Sequence, residues 1–151
     1  MRASRPVAGL LMIGVLLSSG CGKIIDGRPS ASPMADADQA LIVSYFERSN
    51  AAAHGGAAAQ RRFLTSAQHP DVEQRCDLGE LTVLLGPSLS TLRPDERWRP
   101  TGSTVTPRGR VYVIAVTVTV QREGMTLGTQ IGSMHVVVLD GMAYGFAPCP
   151  T

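Results

Sequence analysis

From Arg110 to Arg122 the chain alternates with period two: Tyr112, Ile114, Val116, Val118 and Val120 stand at even positions, with Val113, Ala115, Thr117, Thr119 and Gln121 between them. Side chains of a strand point to opposite faces in turn, so this pattern predicts a half-buried β-strand. Glu123-Gly124 and Asp140-Gly141 then read as hairpin turns, Asp-Gly being the stronger signal. As a two-residue loop, the first turn sets Val120 opposite Leu127, Val116 opposite Ile131 and Tyr112 opposite His135; a longer loop would shift that register. The second sets Val137 opposite Tyr144 and His135 opposite Phe146. The two registers agree in placing Val116, Val118, Ile131, His135, Val137, Tyr144 and Phe146 on one face. Thr117, Thr119, Gln130, Gly132, Ala143 and Gly145 fall on the other.

Helical spacing comes earlier in the chain. Asp36 or Asp38 can N-cap a helix whose Ile42, Tyr45, Phe46, Ser49 and Ala53 form one apolar stripe. His54-Gly55-Gly56 ends it, because glycine accepts the left-handed conformation of a C-terminal cap. A second short helix is expected over residues 57–67, carrying Phe63 and Leu64 and stopped at His69-Pro70. Over residues 71–86, Leu78, Leu81, Leu84 and Leu85 suit a helical face, while Leu81-Thr82-Val83-Leu84-Leu85 also suits a strand; helix is the reading adopted.

Helices followed by an antiparallel sheet with one apolar face predict an α+β domain over residues 38–151, the helices covering that face. The order of the Tyr45-Phe46 helix, the Gly55-Gly56 break, the Phe63-Leu64 segment and long hairpins resembles the cystatin-like, NTF2-like folds found in many actinobacterial lipoproteins. The resemblance implies a cone between helix and sheet that binds an apolar ligand, houses catalysis, or is filled as a core. Its candidate pocket comprises Tyr112, His135, Tyr144 and Phe146, with His135 as a general base or as a hydrogen-bond partner for a ligand. The concave strand positions offer no acid to pair with His135, although a helix could supply Glu47. An acid within reach of His135 inside a cavity favours an enzyme of isomerase or hydrolase type; an exposed apolar patch favours an interaction module. Trp98 reads as a packing anchor, and Met134 as a residue of the opposite face.

The N-terminus carries a separate message. Arg2 and Arg5 precede an uncharged apolar stretch at residues 7–17, which at 11 residues is shorter than the roughly 20 needed to span a bilayer. This reads as a signal peptide. Leu17-Ser18-Ser19-Gly20-Cys21 resembles the lipobox of bacterial lipoproteins, with Ser18 at the position where leucine is commoner. The resemblance implies cleavage after residue 20, a diacylglycerol thioether on Cys21, further acylation by palmitate or a similar chain, and location at the extracytoplasmic face of the cell membrane. An ordinary cleaved signal peptide is the other reading. Two or more acyl chains at about 0.8 kcal/mol per buried CH₂ give a stable anchor. Residues 21–37, rich in Gly, Pro, Ser and Ala, read as the lipidated cysteine and a flexible tether reaching roughly 20 to 24 Å.

Removing residues 1–20 takes away Arg2 and Arg5 and leaves twelve basic against twelve acidic side chains. A neutral chain gives no electrostatic reason to expect a nucleic-acid partner. With Cys21 lipidated, Cys76 and Cys149 form an even pair, read in an exported domain as a disulfide worth on the order of 4 kcal/mol. No Cys-x-x-Cys occurs, and His54, His69 and His135 lack the close spacing of zinc sites, so no metal is expected. No nucleophile elbow, P-loop or dinucleotide fingerprint is present, and no cofactor is expected. The reading is therefore a non-catalytic binding or accessory module of the cell envelope, for a lipid, a small apolar ligand or an envelope protein. The alternative is a small enzyme using His135.

Overall fold

The computed structural model describes residues 36–72 and 77–146. The chain separates into two units, Met1–Ser30 and Ala31–Thr151, and every described residue belongs to the second. Cys21, Cys76 and Cys149, and with them the lipidation and the disulfide, lie outside the described residues.

Helix α1 (Asp36–His54) buries Ile42, Tyr45, Phe46, Ser49 and Ala53, the stripe expected from the spacing, together with Asp38. Gly56, at φ 90°, turns the chain into α2 (Ala57–Ser66), which buries Gln60 and Leu64. Four antiparallel strands follow, β1 (Leu81–Pro94), β2 (Arg110–Arg122), β3 (Met125–Leu139) and β4 (Met142–Gly145), arranged in sequence order. The domain is α+β, two helices against one sheet.

Residues 81–86 correct the expectation of a helix. They form the start of β1, where Val83 and Leu85 point into the core while Thr82 and Leu84 lie on the other side of the strand. The leucine spacing fits either period, and pairing with β2, Val83 against Val120 and Leu85 against Val118, decides for the strand. Beyond Ser88 the ladder is irregular, and the Thr91 hydroxyl accepts the Ala115 N–H at 2.8 Å in place of a backbone carbonyl.

Both predicted turns form. Glu123 and Gly124 have φ 49° and 79°, and Asp140 and Gly141 have φ 49° and 76°, the left-handed pair required by a type I′ hairpin turn. The second hairpin has the expected register, with Val137 opposite Tyr144. The first does not keep its register beyond the turn. Arg122 faces Met125 and Gln121 faces Thr126, but Val120 faces Gly128, so Leu127 is an extra residue forming a β-bulge. From there Val116 pairs with Gly132, not Ile131, and Tyr112 with Val136, not His135.

A shift of one residue turns every later side chain of β3 over. The helix-side face therefore carries Tyr112, Ile114 and Val116 with Val136, Val138 and Ala143, packed on Ile42, Tyr45 and Phe46, and Met134 packs against this core. Ile131, His135, Val137 and Tyr144 belong to the second face, opposite to the side on which Val116 lies. Gly145 lies against Tyr45, whose hydroxyl a Cβ at that position would overlap.

The second face is covered over the part around Val111, Val113 and Val137. Residues 95–109 cross it as a strap. The Asp95 N–H donates to the Val111 carbonyl at 2.9 Å, Trp98 stacks on His135, and Pro100 and Pro107 are buried. Gly109, at φ 103°, brings the strap back against Val137, where a Cβ would stand 2.6 Å from Val137 Cγ1. Val111, Val113 and Val137 are buried under this layer. Among the described residues no helix is long and apolar enough to cross a membrane.

Candidate functional site

On the helix side, β1, β2 and β3 extend past the core and leave a groove of about 620 Å³. Leu81, Val83 and Leu85 of β1 and Val116, Val118 and Val120 of β2 form its floor, with Leu78 beside them and Met134 on β3. These are the inward positions of three adjacent strands, so period-two alternation alone makes the floor apolar. At β3 the groove reaches residues of both faces, with Gln130 and Gly132 as well as Ser133 and His135, which places it round the free edge of that strand. Trp98 and Phe146 complete that end.

His135 is the polar group there, its side chain 17% exposed. Its ring stacks on Trp98 with centroids 4.1 Å apart and planes at 13°, and Trp98 meets Phe146 edge-on at 4.5 Å. Nε2 of His135 lies 3.1 Å from Oδ2 of Asp95. The acid that the strand positions did not offer thus comes from the turn after β1. The Trp98 N–H donates to the Asp95 carbonyl at 3.1 Å, and that turn presents Asp95 and Trp98 to the same imidazole. Burial lowers the His135 pKa from its ordinary value, and the Asp95 carboxylate works against that shift. Glu47, the acid considered from the sequence, is exposed on α1.

Of the four residues expected to share one pocket, His135 and Phe146 line the groove together, and Tyr112 and Tyr144 are not in its lining. Tyr112, on the helix-side face, donates its hydroxyl to Asp38 Oδ2 at 2.5 Å. Arg110 grips the same carboxylate through Nε and Nη2, both at 2.5 Å. Asp38 is 2% exposed, and the Arg110 guanidinium holds its carboxyl below the usual carboxylate range in spite of burial. This cluster ties the first turn of α1 to the start of β2; Asp38, considered as a helix cap, serves a tertiary contact.

Tyr144 and Phe146 instead surround His69, with ring centroids at 6.0 and 5.8 Å. The buried His69 ring accepts the Asp71 N–H on Nδ1 at 3.2 Å, and its Nε2 lies 2.8 Å from the Arg108 carbonyl. A proton on Nε2 satisfies both contacts. Arg108 also pairs with the Asp71 carboxylate at 2.6 Å, so this corner fastens the end of the strap. From the sequence, His69 reads as a helix stop beside Pro70 and as a histidine without the spacing of a zinc site. Its role depends on Arg108 and Asp71, and no local pattern joins those positions.

Compared with known proteins, the chain matches no family model, no curated protein and no solved structure.

Chemically, the groove offers an apolar surface along three strands and one polar end. A single ring nitrogen of His135 is taken up by Asp95, and Nδ1 is the other hydrogen-bonding atom of the ring. Among the described residues no group of His, Cys, Asp and Glu is arranged to hold a metal ion.

Proposed function

We propose that this chain is a lipoprotein anchored through Cys21 at the extracytoplasmic face of the cell membrane, whose domain binds an elongated apolar ligand of the acyl-chain class. The observation that carries the ligand reading is the groove of about 620 Å³, within the range of small-molecule sites at roughly 300 to 1,000 Å³, with aliphatic walls and a polar end at Gln130, Ser133 and His135. An alkyl chain along the half-buried Leu81, Val118 and Val120 removes apolar surface from water on both sides, and a polar head at the other end meets His135. The order of helices before an antiparallel meander supports reading the domain as cystatin-like or NTF2-like. The signal sequence and lipobox support the anchor.

The test is native and denaturing mass spectrometry of the detergent-extracted full chain. The expected result is a chain beginning at an acylated Cys21, with a lipid-sized mass released only on denaturation. Val118→Trp fills the groove and is expected to lose that ligand while keeping the fold. An unlipidated mature chain overturns the anchor, and a wild-type protein that neither carries nor takes up fatty acid overturns the ligand reading.

The Asp95–His135 pair favours a second reading, an enzyme of isomerase or hydrolase type with His135 as general base. In that case His135→Gln retains a bound lipid but stops its conversion, a change visible in the masses of the ligands recovered from the two proteins.

A further inference from the structure

The sheet has more than one exposed flank, and the described residues treat them differently. The outer edge of β1 is closed by side-chain amides. Gln60 donates to the Val83 carbonyl at 2.7 Å and accepts its N–H at 2.8 Å, and Asn50 does the same for Leu85, both at 2.8 Å. The outer edge of β4 is closed by residues 67–69, since the Gly145 N–H donates to the Ala67 carbonyl at 2.9 Å and the His69 N–H to the Gly145 carbonyl at 3.1 Å. β3 outreaches β4, which pairs only with Val136, Val137, Val138 and Leu139. Before those residues its outer edge faces no strand among the described residues.

The bonds at Gly145 also tell which groups of β3 face outward. Gly145 turns both its groups away from β3, so Val136 opposite it bonds to β2, and odd-numbered residues direct their N–H and C=O towards the β4 side. Among the described residues, the outward N–H and C=O groups of Thr129, Ile131 and Ser133 thus face no strand along this edge.

We propose that the free edge of β3 pairs antiparallel with the same edge of a second copy of this chain, joining two four-stranded sheets into one. An isologous antiparallel contact centred on Ile131 sets that residue opposite its own copy and Thr129 opposite Ser133, so a charge at the axis would meet a like charge. From Met125 to Met134 the strand has no charged residue and no proline, the two devices by which edges are usually protected from pairing. It exposes Ile131 at 78%, and pairing sets the two copies of that side chain beside each other on one face. Self-association is thus unopposed by charge and favoured by both hydrogen bonding and apolar burial. The groove rounds the same edge near Ser133 and His135, so a second copy paired there closes that end of the groove.

The experiment measures the mass of the detergent-solubilised full chain by light scattering, with micelle mass subtracted, beside hydrogen exchange. The wild type is expected to be a dimer, with the Thr129, Ile131 and Ser133 amides exchanging at least about tenfold more slowly as protein concentration rises through the association range. Thr129→Pro removes one outward N–H without touching a bond to β2, and Ile131→Lys sets like charges near each other; both are expected to give folded monomers. A wild-type monomer, or a dimer whose odd-numbered β3 amides exchange freely, overturns the proposal. So does a dimer that survives both substitutions. If either variant fails to fold, the exchange pattern of the wild type decides alone.

Discussion

At the scale of single residues, Asn50 and Gln60 show how a polar side chain becomes part of the core. Val83 and Leu85 lie two apart on β1, so both turn their outward backbone groups to the same side, where a neighbouring strand would stand. Asn50 on α1 and Gln60 on α2 each carry one donor and one acceptor at the separation of a peptide group, and together they stand in for that strand. Nothing in the sequence around either residue announces this, because their partners lie 35 and 23 positions away. Gln60→Leu keeps much of the volume but leaves a buried N–H and C=O unpaired. It is expected to cost roughly 2 to 4 kcal/mol in urea unfolding, given about 1 to 3 kcal/mol for each unsatisfied buried group. A loss below about 0.5 kcal/mol would mean that water reaches that edge.

Among the elements, the β2–β3 hairpin separates what is local from what is not. Its turn and both strands are legible in the sequence, because alternation and a glycine after the turn act over a few residues. Leu127 is not legible as a bulge. It lies between Thr126 and Gly128, follows the turn in the same alternation, and the extra residue shows only when β2 is laid beside β3. Deleting Leu127 removes the unpaired residue while leaving each later pair, from Val120 with Gly128 onward, intact. The deletion is expected to give a folded protein within about 1 kcal/mol of the wild type in thermal unfolding, with the core amides of β2 still protected from exchange. Deleting Thr129, inside the regular ladder, reverses the facing of one side of β3 and is expected to unfold the chain. The start of β1 fails in the same way as the bulge, since its leucines satisfy two periods and only β2 distinguishes them.

For the whole molecule, helices, sheet and strap make three layers, held at their margins by ionisable groups. Asp38 joins α1 to β2, and its carboxyl is held below the usual value by Arg110. The stabilisation from that shift is present above pH 3.8 and is lost as pH falls through the lower folded value. His135, beside the strap, has its pKa lowered by burial, so below about pH 6.5 the unfolded chain binds a proton that the native protein resists, and stability again falls with acid. At the alkaline end, burial raises the Tyr45 hydroxyl to about 12, so between pH 10 and 12 the unfolded chain ionises first. Unfolding free energy is therefore expected to be greatest between the His135 and Tyr45 limits. Urea titrations across pH check this, with Asp38→Asn removing the lowest acid step and His135→Gln the upper one. The chain's amino acids alone set the two helices at the front, the strands that flank the two turns, the stripe of α1 that is buried, and the places where the two turns fall. Each of these follows from periodicity or backbone freedom over a few neighbouring residues. Folding in three dimensions settled which face of β3 is inside, how Asp95 meets His135, why Tyr112 parts from Tyr144 and Phe146, and what closes each edge. Those outcomes depend on pairings between distant segments, where an offset of one residue changes little locally and reverses every side chain beyond it.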